Sequence, residues 1–137
     1  MCAVVNNEMQ ESLRRVLVDL NQATEEVSRP DEDVVTYAIC LTSRQIIRKL
    51  LRIFLSSQSI PFNDAASILD LLNACKQVDA QFGRIEINEM SCSGLNVIAS
   101  DNTYCLPVDN VMHCMLIANQ IKELVLSKLG LTESELN

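Results

Sequence analysis

Residues 34–55, VVTYAICLTSRQIIRKLLRIFL, form the longest apolar run in the chain and constrain everything built around it. Val35, Ala38, Leu41, Thr42, Gln45, Ile46, Lys49, Leu50, Ile53 and Phe54 recur at steps of three and four, which places them on one side of a helix. Val34, Ile39, Ile47, Leu51 and Leu55 flank that stripe. A helix apolar over so much of its circumference needs cover on more than one face, and this predicts the central helix of a bundle. The same helix carries Arg44, Arg48 and Arg52 four residues apart with Lys49 beside them, a cationic ridge about two turns long. No acidic residue falls between Asp33 and Asp64 to neutralise it locally.

The 137 residues suit one domain, with an ordered core over about 7–129 and a frayed acidic tail over 131–137. Almost half of them (48%) are hydrophobic, yet there is no Trp and there are only three Gly and three Pro. That balance favours packed helices and starves a sheet of its turns, so the fold class is all-α, an up-and-down bundle of four to five helices. A formal charge of −7 argues against a general nucleic-acid coat or an anionic-membrane binder, which need excess cations. A local basic face remains compatible with it. Of six Cys, Cys40, Cys75 and Cys114 fall at or near apolar stripes and read as buried thiols. There is no Cys-x-x-Cys, and the lone His113 is not spaced as one of a ligand pair, so neither a metal nor a cofactor is expected. The N-terminus lacks a signal-peptide core and residues 34–55 are too interrupted by charge to span a bilayer, which points to the cytoplasm and no membrane partner.

Along the chain, Asn6 or Asn7 can cap a first helix reaching about Ser28, with Met9, Leu13, Val16, Leu17, Leu20, Ala23, Thr24 and Val27 inward. Arg29-Pro30 ends it, and Asp31 can cap the second. The polar stretch 56–64 is the clearest break, after which Asn63 or Asp64 can cap a third helix that buries Ile68, Leu69, Leu71, Leu72 and Cys75. Val78, Phe82 and Ile85 suggest a further short helix, and 91–101 reads as a loop. Pro107 suits the first turn of a last helix ending before Gly130. That helix has two stripes: Val111, Met115, Ala118, Lys122, Val125 and Leu129, and beside them Cys114, Ile117, Ile121, Leu124 and Ser127. Either it too is central, or its second stripe forms a subunit interface.

These residues, from about 8 to 129, resemble the HEPN family of small helical-bundle domains. Leu20, Ala23 and the turn at Arg29-Pro30 look like that family's first helix and its exit. The segment RQIIRKLLRIFL at 44–55 is similar to its second-helix signature: Gln45 and Lys49 match, Arg52 replaces a second Lys, and Arg48 replaces the usual Glu. Ile60-Pro61-Phe62 with Ile68-Leu69-Asp70-Leu71-Leu72, and then 95–104 with the Pro107 helix, resemble the later segments. Two departures bear on function. Ala66 stands where many relatives carry a His, and Thr103-Tyr104 where they carry Arg-Tyr. The ribonuclease branch uses an Arg followed four to six residues later by a His, whereas no Arg lies between Arg84 and His113. The family's nuclease chemistry therefore does not transfer.

The resemblance implies a non-catalytic module that forms a homodimer and pairs with a small nucleotidyltransferase or in a toxin–antitoxin system. Binding of a nucleotide, an RNA backbone or an acidic partner would fall to Arg44, Arg48, Lys49 and Arg52, because forked guanidinium donors match phosphate oxygens. The plainer alternative is a solvated helix face, or a ridge paired internally with acids of the first helix or of 31–33. Thr103 and Tyr104 could border a pocket, and Met112 and Met115 could be contact surface or core. No Gly-rich phosphate loop, Ser-His-Asp set or paired catalytic carboxylates is present, so no enzyme is expected. A diverged ribonuclease toxin and a purely structural dimerisation domain are the two competing readings.

Overall fold

The computed structural model describes residues 6–27, 36–63, 65–85 and 108–132. They form an all-α bundle: α1 (Asn7–Val27), α2 (Thr36–Ser57), α3 (Ile68–Val78) and α4 (Val108–Leu129), with a 3-10 turn over Ala80–Arg84. The predicted turn at Arg29-Pro30, the Asp31 cap, the loop at 91–101, Pro107 and the acidic tail from 133 lie outside the described residues.

Five of the helix ends have a local reason among the described residues. Asn6 caps α1: its side-chain oxygen accepts from the Met9 N–H at 2.8 Å and its carbonyl from the Gln10 N–H at 3.1 Å. α2 closes with paired bonds from Ile60 N–H to Leu55 O and from Ser59 N–H to Ser56 O, at 2.9 and 3.1 Å. This 6→1 and 5→2 pattern requires a left-handed residue after the helix, and Ser59 supplies it at φ 58°. α4 ends the same way, with Leu131 N–H on Leu126 O, Gly130 N–H on Ser127 O, and Gly130 at φ 70°. The cap of α3 differs from the sequence expectation. Asn63 spends its side chain on the Ala65 N–H (2.8 Å), and Ser67 accepts the Asp70 N–H (3.1 Å) instead. Val78, Phe82 and Ile85 do not share a helix: Val78 ends α3, and the 3-10 turn carries Phe82 into the core.

α2 packs against α1, α3 and α4, and α4 also touches α1, so α2 is the central rod. Its buried positions are Ile39, Ile46, Ile47, Leu50, Leu51, Phe54 and Leu55. This corrects the helical phase read from sequence. Gln45 and Lys49 are exposed and Leu41, Thr42 and Ile53 are half-buried, while Ile39, Ile47, Leu51 and Leu55, taken as flanks, are as deeply buried as Ile46, Leu50 and Phe54; Val34 and Val35 lie outside the described residues. A helix enclosed by three neighbours has no single stripe, and a stripe chosen by spacing alone can be rotated from the buried one. On α1, Leu13, Val16, Leu17, Leu20 and Ala23 are buried as expected, but Thr24 faces outward and its hydroxyl donates to Leu20 O at 2.8 Å.

On α4 both apolar stripes are covered by the chain itself. Cys114, Ile117 and Ile121 are buried, as are Met115, Ala118, Val125 and Leu129, while Leu124 is half-buried and Ser127 exposed. The helix is central, and its second stripe does not call for a second copy.

Three side-chain contacts set the directions of the helices. The Ser43 hydroxyl donates to Ile39 O (2.8 Å) and lies 2.9 Å from Met115 Sδ, joining the first halves of α2 and α4. At the other end the Phe54 and Phe82 rings pack with centroids 4.6 Å apart. Lys128 Nζ meets Asp79 Oδ2 at 2.7 Å just before that 3-10 turn. α2 and α4 therefore run in the same sense.

Candidate anion site

The cationic ridge is not a solvated edge. Arg44 and Arg48 are only 4% and 8% exposed, Arg52 is half-buried, and Lys49 alone is fully outward. The reason is the crowding of α2: its neighbours wrap far enough around it that residues 44 and 48, placed on the polar side by spacing, are overlapped. Lys122 on α4 is buried to a similar degree, with its ammonium 3.1 Å from Glu123 Oε1.

Arg48 is the residue whose surroundings ask for a ligand. Among the described residues it makes no hydrogen bond or ion pair, and its Nε is fully sequestered from solvent. Burial is the main influence lowering its pKa, and the like charges of Arg52 and then Arg44 add to it. A guanidinium stays protonated throughout the range in which proteins are folded, so the strain is not relieved by loss of a proton. An anion held against it would offset that cost.

Space for one lies beside it. Gln45, Arg48, Lys49 and Arg52 line a hollow of about 270 Å³. Lys49 and Arg52 also line a second hollow of about 310 Å³, completed by Ser12, Arg15, Val16 and Ile53, so that α1 forms the opposite wall. Arg15 is well exposed and shares Glu11 with Arg14, at 3.5 Å from its own Nε. Arg52 is steadied from the α2–α3 connection, where its guanidinium lies 5.9 Å from the centroid of the Phe62 ring. The site thus offers one buried and several more exposed cations around an open space and, among the described residues, no nucleophile or base positioned by another group.

Of the residues singled out from the sequence, Arg48, Lys49 and Arg52 line these hollows and Arg44 does not; Ser12 and Arg15 were not singled out, since nothing in the spacing tells which face of α1 meets the ridge. Thr103 and Tyr104 lie outside the described residues, as do the side chains of Met112 and His113, although those two belong to α4. Met115 is core. Among the described residues no cluster of His, Cys, Asp or Glu could hold a metal ion, and no helix is long and apolar enough to cross a membrane. Cys75 and Cys114 are buried thiols.

Comparison with protein-family models, with characterised proteins and with solved structures finds no match to the chain.

Proposed function

We propose that the protein is a non-catalytic binding module that takes a phosphate-bearing ligand on the cationic ridge of α2. The observation that carries this reading is Arg48: a buried guanidinium beside two others, facing a hollow, with no countercharge among the described residues. Burying such a group without a partner is costly, and a charge-assisted contact to a phosphate oxygen is the kind of interaction that offsets it. The HEPN resemblance supports the same kind of role, a helical subunit acting beside a nucleotidyltransferase or a toxin–antitoxin partner, and it supports a homodimer independently of α4. The ribonuclease reading gains no observation among the described residues, and the purely structural one leaves Arg48 without a countercharge there.

The test is calorimetric titration of the reduced protein with a panel of nucleotides and a short RNA at low and moderate salt, with Arg48→Met as control. Saturable binding that the variant loses is the expected result. Absence of binding to every member of the panel would overturn the phosphate reading and turn attention to protein partners.

A further inference from the structure

The groove between α1 and α2 does not stop at the cations. Gln45, which borders the Arg48 hollow, also lines a hollow of about 320 Å³ further along the same two helices. There α1 contributes Asp19, Gln22 and Glu26 and α2 contributes Thr42. On α1 the lining residues fall from 26 to 12 as those on α2 rise from 39 to 53, so the helices are antiparallel and the hollows form one furrow. Its two ends differ in charge: cations at one, amides, a hydroxyl and carboxylates at the other.

That polarity selects among phosphate ligands. A nucleic-acid strand laid along the furrow would bring its successive phosphates past Asp19 and Glu26, and like charges repel. Single-stranded RNA recognition also relies on aromatic platforms for unstacked bases, and among the described residues no aromatic side chain lines any of the three hollows. Carboxylates and amides are instead suited to hydroxyl groups, from which Asp19 can accept and to which Gln22 and Gln45 can both donate and accept. One helical turn, about 5 Å, separates Gln45 from Arg48 along α2, and Thr42 to Arg52 spans about 15 Å. A phosphorylated pentose fits within that reach.

We infer that the ligand is a sugar phosphate lying along the α1–α2 furrow, its phosphate on Arg48 and Lys49 and its hydroxyl-bearing body against Gln45, Gln22 and Asp19. This rests on the phosphate reading above and narrows it.

The experiment is isothermal titration of the full chain with inorganic phosphate, ribose 5-phosphate and a ten-nucleotide RNA, repeated on Arg48→Met and on Asp19→Ala/Gln22→Ala. The expected result is ribose 5-phosphate binding at least tenfold more tightly than inorganic phosphate. The Asp19→Ala/Gln22→Ala variant should lose about tenfold for the sugar phosphate and nothing for inorganic phosphate, as befits lost hydrogen bonds to the body alone. Arg48→Met should lose both. Equal binding of inorganic phosphate and ribose 5-phosphate would overturn the sugar-phosphate assignment and leave the anion site standing. Tighter binding of RNA, with a steep salt dependence, would do the same in favour of a polyanion. No binding of any of the three would overturn both.

Discussion

At the scale of single residues, three side chains sit in surroundings whose effect can be measured. Ser59 holds a left-handed backbone that L-residues with a Cβ resist, so Ser59→Gly should stabilise the protein by about 1 kcal/mol, read as an upward shift in a urea melt. Cys75 is buried with its sulfur 3.9 Å from Leu51 O, and burial pushes its thiol up to about 12. At pH 8 only about one molecule in ten thousand would carry its thiolate, so a maleimide or disulfide reagent should leave Cys75 untouched until denaturant is added. Arg48 is the third. Replacing it with Met, which keeps most of its length, should leave the fold intact and raise the melting temperature, because an uncompensated buried charge gives way to packing. A large loss of stability in Arg48→Met would mean that the guanidinium is satisfied and the site misread. The burial of Cys75 was legible from its place on an apolar stripe, whereas a serine after a helix and an arginine on a ridge look ordinary until their surroundings are known.

At the scale of elements, the helices were largely readable and their rotations were not. Asn6, Gly130 and the inward faces of α1 and α3 follow from capping chemistry and three- and four-residue spacing, which are local. The phase of α2 is not local, because it depends on how far three neighbours reach around one cylinder, and so the ridge passed for a surface feature. Leu50 was placed in the core by either phase. It is fully buried, and Leu50→Ala should cost about 2–5 kcal/mol in a denaturant melt. The junction after α3 shows how much one residue can do. The Asp79 N–H closes the helix on Cys75 O, while its carboxylate accepts the Gln81 N–H at 2.9 Å and meets Lys128. The Lys128 contact first, and then the Gln81 bond, hold the carboxyl below its usual range. A carboxyl depressed in the folded state adds stability above its unfolded value of about 4, and that stability is lost as pH falls through the folded value. Because the pair is partly solvated, its worth is at most about 1 kcal/mol. Asp79→Asn should accordingly flatten the melting profile below about pH 4 and change little at pH 2.

At the scale of the whole molecule, the hydrophobic cluster is one body, contributed by all four helices and the 3-10 turn. Amide exchange should therefore be slowest along the middle of α2, around residues 46–55, with α1 and α4 close behind and the 3-10 turn fastest of the core. An α2 that exchanged earlier than α1 would contradict its central place. The number and class of helices follow from composition and periodicity, but the furrow does not, since it exists only once two helices are laid side by side with their ends reversed. The enclosure of α2 has an evolutionary consequence as well. A helix that serves three neighbours leaves few positions free to vary, among the described residues essentially Gln45, Lys49 and Ser56 on its outward line, and two of those line the furrow proposed to hold a ligand. Drift in this chain should collect on the outer face of α1 and at Leu116 and Gln120 of α4, so that descendants would diverge fastest at positions the bundle does not enclose.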